Sequence, residues 1–356
     1  MTTPDAALSP APMEGHGAYN RASRVQAAGL TPALPLFRDA AERVPLPGGD
    51  GPVVVADYGS SEGRNSLAPI RAAVEVLRRR LGDDRPISVV HTDLPDNDFA
   101  ALFHVVQADP DSYLHAARNV FPFAVGRSFY SQILPPASVT LGWSSWAVQW
   151  LSRVPAPIPD QVQIAFSRDA TARAAYHAQA AADWRCFLSS RAVELRPGGR
   201  LVVLTMALDA DGDFGYGPCV AAIWDALQAR VADGTVRPDE AARMAIPTVG
   251  RTLADLLLPF ADGPFEGLVI DHAEVFLGED HLWADFQRDG DAAAFGRRWA
   301  DFSRASVLPT LARAIDAPRR EHFVTAMTDD MAARLAAAPR AMKIPLARMC
   351  LVRVAP

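Results

Sequence analysis

Apolar residues recur along this chain in two rhythms. The first is a set of short, nearly continuous runs: GPVVVADYG at 51–59, PISVVHTDL at 86–94, SVTLGW at 138–143, GRLVVLTMAL at 199–208, GLVIDHAEVF at 267–276 and ARMCLVRV at 347–354. Runs of this length read as buried strands. The second rhythm steps by three and four. Leu67, Ile70, Val74, Leu77 and Leu81 form one apolar stripe and predict a helix over 66–82. Asn65 and Ser66 are candidate caps for it, and Arg78, Arg79 and Arg80 stand where cations favour the C-terminal dipole. Strand, helix and strand in succession predict a parallel sheet with right-handed crossovers. In the last run Met349 and Leu351 point to one face and Cys350, Val352 and Val354 to the other, as in a strand covered on both sides.

A long Ala-rich helix is expected over 169–195, ahead of RPGGR. Between 209 and 265, and again over 280–320, the pattern turns mainly helical. These two stretches read as one helical cap over the carboxyl ends of the sheet, with 216–224 and 283–311 setting the size of a pocket. The core is then 13–208 together with 266–279 and 321–356. Residues 1–12 are small and Pro-rich and are expected to be loose.

Composition narrows the function classes. With 49% hydrophobic and 21% charged residues the chain has an ordinary globular balance. A net charge of −6 gives no electrostatic reason to bind nucleic acid or anionic lipid. No run of about 18 apolar residues predicts a membrane span, and the first 35 residues carry no secretory pattern. The three cysteines, Cys186, Cys219 and Cys350, are far apart and form no CxxC pair, as expected of thiols in a reducing cytoplasm. The eight histidines are scattered, with no HExxH and no GxSxG, so neither metal catalysis nor Ser-His hydrolysis has a constellation.

Three stretches carry candidate chemistry. ADYGSSEGRN at 56–65 lies where strand turns to helix. Gly59 and Gly63 there permit a tight turn and close backbone approach to a ligand, but the spacing fits neither GxGxxG nor a P-loop. Asp57 ends the strand, where it meets a cationic ligand group or merely caps the turn. HTDLPDNDF at 91–99 ends the next strand. Asp93 can accept two hydrogen bonds from ribose hydroxyls, Leu94 offers an apolar contact, and Asp96 and Asp98 read as turn and cap residues. GRSFY at 126–130 is followed by WSSWAVQWLS at 143–152, with three tryptophans in eight residues. On a helix Trp143, Trp146 and Trp150 would share a face. Trp146 and Trp150 start just past a strand end, where open α/β sheets bind ligands, and an indole N–H suits a carboxylate oxygen.

Taken in order, MEGHGAYN at 13–20, Ser23, Gln26, ADYGSSEGRN, TDLPDNDF, GRSFY, SSWAVQWLSRVP, FLSSRAVELRPGGRLVVLT at 187–205 and IDHAE at 270–274 resemble the SABATH family of methyltransferases, the salicylate, benzoate and theobromine type. The resemblance covers nearly the whole chain, and the Ala/Arg-rich composition looks like that of a bacterial member. It implies an α/β fold: a seven-stranded, Rossmann-like class I methyltransferase sheet with helices on both faces and a helical cap. It implies S-adenosylmethionine as methyl donor and S-adenosylhomocysteine as product. By position, Ser23, Asp57, Gly59, Asn65, Asp93, Leu94, Ser128 and Phe129 look like cofactor contacts. Gln26 and Trp150 resemble the pair that holds the substrate carboxylate, while Tyr19, Trp146 and Trp224 resemble further substrate contacts. Glu14 stands where many plant members carry a lysine, Arg64 replaces a proline and Ser60 a cysteine.

The implied activity is esterification of a small organic acid by in-line methyl transfer. A carboxylate is already ionised at pH 7, with a reference pKa near ~4, so the step asks for neither general base nor metal. Within the same resemblance stand N-methylation of a heteroaromatic acceptor, for which Glu14 could accept a ring N–H, and a non-catalytic member that only binds ligand. The expected partner is a small carboxylic acid, with no nucleic acid or membrane, in the cytoplasm. The resemblance leaves room for a homodimer.

Overall fold

The computed structural model describes residues 29–354. The loose segment expected at 1–12 lies outside them. Seven strands form one sheet: β1 (Val53–Tyr58), β2 (Ile87–Asp93), β3 (Val120–Gly126), β4 (Val139–Ser145), β5 (Leu195–Met206), β6 (Leu268–Leu277) and β7 (Pro345–Arg353). Their spatial order is β3-β2-β1-β4-β5-β7-β6. The neighbours from β3 to β5 pair in parallel, whereas β7 runs antiparallel to both β5 and β6. The seven-stranded, helix-covered sheet expected above is thus present, with one strand reversed.

Alternation along the central strands feeds two apolar layers. On one face Val53, Val55, Val202, Leu204, Leu346 and Cys350 join helices α1 (Leu34–Arg43) and α2 (Arg64–Leu81). On the other, Ala56, Tyr58, Leu201, Val203, Met349 and Leu351 pack with Trp184, Phe187 and Leu188 of α4 (Ala170–Glu194). The split of Met349 and Leu351 from Cys350 is the two-faced burial read from the last apolar run.

Three local expectations change. Strand β3 corresponds to none of the apolar runs. Pro122 interrupts its apolar run, and Phe121 and Phe123 are about half exposed, so it carries no buried-strand pattern. Proline is tolerated there because β3 is an edge strand. Helix α2 is not capped by Asn65 or Ser66: its N-cap is Gly63, at φ 86°, without a side-chain cap bond. The C-terminal arginines behave as expected. Arg78 is nearly buried and donates from Nη1 to the carbonyls of Gly82 and Arg85 (2.6 and 2.8 Å) and from Nη2 to that of Arg118 (2.7 Å). The third change is the start of β5, which lies at Leu195 rather than 199 because residues 196–199 bulge out between its pairings with Val139 and Leu141. Helix α3 (Phe99–Ala108) is capped by Asp98, whose carboxylate accepts from Ala101 N at 2.9 Å.

Five further helices are α5 (Gly217–Ala232), α6 (His281–Asp289), α7 (Ala292–Ser306), α8 (Leu308–Ala312) and α9 (Arg320–Ala337). Helix α9 packs against α7, α5 and α8. The α7–α9 crossing is close: a Cβ on Gly296 would come within 2.3 Å of the Ala332 carbonyl oxygen. No described helix is long and apolar enough to cross a membrane.

Candidate active site

The β1–α2 turn is tied to the end of β2. The backbone N–H groups of Gly59 and Ser60 both donate to the Thr92 carbonyl, at 2.9 and 3.0 Å. Gly59 sits at φ 91°, and a Cβ there would lie 2.5 Å from Ala147 Cβ, so only glycine lets this turn approach the turn after β4 so closely. Ser61 N donates to Asp93 Oδ2 and Leu94 N to Asp93 Oδ1, both at 2.7 Å. Each carboxylate oxygen keeps a further acceptor site. Burial pushes the Asp93 carboxyl up to about 6, against the opposing pull of those two N–H bonds. Ser61 Oγ is buried and has no hydrogen-bond partner among the described residues.

Asp57 is 2% exposed at the end of β1. Its Oδ2 lies 2.8 Å from His91 Nδ1, and His91 Nε2 lies 2.9 Å from the Tyr113 hydroxyl. This buried chain was not foreseen, since His91 reads in sequence as one more scattered histidine. It gives Asp57 a fixed orientation beyond that of a simple turn cap.

The loop after β3 has its own support. Arg127 N donates to the Asp93 carbonyl (2.8 Å), joining the ends of β2 and β3. Ser128 Oγ accepts from Tyr130 N, and Phe129 packs on Tyr130 and edge-on to Phe187. Arg191, fully buried on α4, donates to the carbonyls of Phe129 and Ser131 (both 2.9 Å) and to Glu194 Oε1 (2.8 Å). Its guanidinium lies 4.1 Å from the centre of the Tyr58 ring. Glu194, also fully buried, accepts from the Tyr58 hydroxyl at 2.7 Å and from the backbone of Ile133 and Leu134.

The tryptophan segment is not a helix. Strand β4 continues through Ser145, so Trp143 faces the core, fully buried with its ring 4.7 Å from that of Phe37. Trp146 takes φ 54°, and Trp150 N closes a tight turn on the Ala147 carbonyl at 3.0 Å. Trp150 then pairs with Thr248 as an isolated antiparallel bridge, while the Tyr130 hydroxyl donates to its carbonyl.

Trp146 and Trp150 line a cleft that is open to solvent on one side. Met206 ends β5 on one side; Val220 and Ile223 come from α5, Phe214 from the segment before it and Phe302 from α7. Among the described residues the polar groups of the lining are all uncharged: Gln149, Gln163, Thr248, Tyr216, Cys219, Ser303 and Ser306 beside the two indoles. Both amides are spent within the protein. Gln149 donates to the Trp146 carbonyl (2.6 Å) and accepts from Thr205 Oγ1 (3.0 Å). Gln163 donates to the carbonyl and hydroxyl oxygens of Thr248 (2.8 and 2.9 Å).

The fold therefore gathers Asp57, Gly59, Asp93, Leu94, Ser128 and Phe129 at the ends of β1, β2 and β3, with Asn65 in the first turn of α2. Trp224 is only partly buried and is not among the lining residues, although its neighbour Ile223 is. Glu14, Tyr19, Ser23 and Gln26 lie outside the described residues. The cap residues of the cleft had no motif of their own, since Tyr216, Thr248 and Ser303 meet only through the fold.

Residues 9–348 match the family model described as SAM dependent carboxyl methyltransferase. A methyltransferase of Gibberella moniliformis (FUS9) is 32% identical over 247 residues, 69% of this chain and 66% of that protein, so the match spans just under two thirds of the relative. The salicylate carboxymethyltransferase of Clarkia breweri is 27% identical over 296 residues, 78% of this chain and 77% of that one. Among solved structures, a loganic acid methyltransferase with SAH is similar in fold, with a TM-score of 0.77 at 21% identity, covering 97% of this chain and 99% of that one. On the extent of the family match, and with its motifs gathered at the carboxyl ends of one sheet, the chain belongs to the SABATH family of S-adenosylmethionine-dependent carboxyl methyltransferases.

Proposed function

We propose that this protein forms the methyl ester of a small organic acid, with S-adenosylmethionine as donor. The observation that carries this reading is the cleft: mainly apolar, with only uncharged polar groups among its described lining residues, and with Trp146 in its wall next to Ala147, against which Gly59 packs. The cofactor fits the residues present. Asp93 keeps acceptor capacity for a diol, Ser61 Oγ is an unpartnered buried hydroxyl, and Gly59 leaves the turn without a side chain. When bound, it supplies an electrophilic methyl group on a sulfonium.

The remaining work belongs to the chain. Asp93 holds ribose hydroxyls, Leu94 and Phe129 wall the adenine, and Asp57, oriented by His91, meets the charged amino-acid part, with Ser23, Asn65 and Ser128 as further contacts. Gln26 and Trp150 each donate one hydrogen bond to the substrate carboxylate, while Tyr19 and Trp146 pack on its body. Neutral donors orient a carboxylate without the charge neutralisation of an ion pair, so its oxygen keeps its nucleophilicity. The apolar lining excludes water. Holding the reactants in line can supply up to roughly 7–11 kcal/mol. The helical cap, 209–265 with 280–320, takes in α9 as well, since that helix packs on α5 and α7. Three free thiols support a cytosolic setting.

The clamp is tested by Trp150→Phe and Gln26→Ala. Each is expected to lower kcat/KM by about 5–150-fold, or ~1–3 kcal/mol, with Tm and cofactor affinity little changed. Full kcat/KM in both variants would remove the clamp. Turnover is also expected to survive EDTA and to lack a histidine-dependent bell in its pH profile, because the nucleophile is already ionised. Activity lost to EDTA and restored by a divalent ion would contradict this.

A further inference from the structure

Two buried side-chain polar atoms of the cleft lining have no hydrogen-bond partner among the described residues, Trp146 Nε1 and the Tyr216 hydroxyl. Trp146 belongs to the turn already assigned to the acceptor. Tyr216 stands apart from it, at the start of α5 on the cap side. The residue is 3% exposed and its phenol is held neutral by burial. Its ring packs edge-on to Trp299 at 6.3 Å and near Phe214 at 5.9 Å. Phenylalanine would pack there equally well and would bury no unmet hydroxyl, which is costly to leave in an apolar setting. The backbone is held in the left-handed region, φ 58°, by Tyr216 N donating to the Lys343 carbonyl at 3.0 Å. A bulky residue in that region marks a position whose orientation the surroundings enforce.

Nearby polar groups do not relieve the phenol. Cys219 Sγ and Ser303 Oγ lie 3.3 Å apart, and Ser303 Oγ donates to the Trp299 carbonyl at 3.2 Å, so the serine proton is committed and the thiol is left to donate to Ser303. Burial pushes the Cys219 thiol up to about 11, so it stays protonated in that role. Among the described lining residues on α5 and α7 and at the start of α5, Ser303, Ser306 and Cys219 have partners and the Tyr216 hydroxyl has none.

We propose that the acceptor acid carries a second oxygen function besides its carboxylate, a hydroxyl or carbonyl, and that Tyr216 selects for it by donating its phenolic proton. This rests on the carboxylate reading above and narrows the substrate class within it. Selection of this kind is strong because a site built to bond an oxygen is left with an unmet buried group when the oxygen is missing.

The test uses full-length protein and pairs of acids that differ by one oxygen: phenylacetate against its 2-, 3- and 4-hydroxy derivatives, and 3-phenylpropionate against its hydroxyphenyl and 3-oxo counterparts. Binding is read by quenching of tryptophan fluorescence, and turnover by kcat/KM, in the wild type and in Tyr216→Phe. At least one oxygenated acid is expected to be preferred over its parent by about tenfold or more, and the preference should collapse to within about twofold in Tyr216→Phe. If no oxygenated acid is preferred, or if the preference survives in Tyr216→Phe, the role of Tyr216 is overturned. If no acid binds or is methylated at all, the carboxylate reading itself falls, and this inference with it.

Discussion

Replacing Arg191 by methionine is expected to destabilise the protein by roughly 3–5 kcal/mol, the usual consequence of removing one partner of a buried ion pair. Arg191 and Glu194 are both fully buried, 2.8 Å apart. Methionine fills similar space but leaves the Glu194 carboxylate without a countercharge, and it leaves the Phe129 and Ser131 carbonyls without their donor. The Tyr58 hydroxyl and the Ile133 and Leu134 amides still bond Glu194, so the fold should survive in a weakened form. A fall in Tm of roughly 4–7 °C follows for a chain of this size. Because the lost bonds hold the loop with Ser128 and Phe129, cofactor affinity should fall as well. An unchanged Tm would mean that the Arg191–Glu194 pair does not support this loop.

The second large effect concerns Asp93. Asp93→Ala is expected to weaken cofactor binding by about 1–3 kcal/mol, roughly a 5–150-fold rise in Kd, because it removes a charged acceptor. The pH dependence carries the same signature. Burial places the Asp93 carboxyl near about 6. Protonation below that value removes acceptor capacity, so wild-type affinity should fall as pH drops through 6, while Asp93→Ala stays flat. For stability the sign is opposite. The folded pKa lies above the ordinary 3.8, so this group favours the folded state most below 3.8 and loses that contribution as pH rises through about 6. Calorimetric titration at pH 5.5 and 7.5 separates the two. Equal affinity for wild type and variant at both values would take Asp93 out of the site.

Strands β1, β2, β4, β5 and β7 were legible as largely buried apolar runs and β6 as an apolar run that is mostly half-buried, and the turns after β1 and β2 were legible because glycine and aspartate stand at strand ends. Strand β3 was not, since a proline and two half-exposed phenylalanines leave no buried pattern at a sheet edge. The tryptophan segment misled through spacing. Residues seven and three apart suggest a helical face, but β4 runs on to Ser145 and Trp146 turns the chain with a positive φ. Half of the cleft was beyond local reading. Thr248 reaches Trp150 through a single bridge from almost a hundred residues away, and Tyr216 and Ser303 reach one cleft through α5 and α7, which both pack on α9. The helical character of these stretches was visible, but their facing side chains were not.

The most direct measurement is incubation of the purified protein with methyl-labelled S-adenosylmethionine and a panel of small organic acids, followed by mild base. Carboxyl methylation predicts label in the acid fraction that is released by base, and much less of it with Trp150→Phe. Label that resists base would indicate N-methylation or ether formation, and no label at all would indicate a protein that binds without reacting; either result would contradict the account.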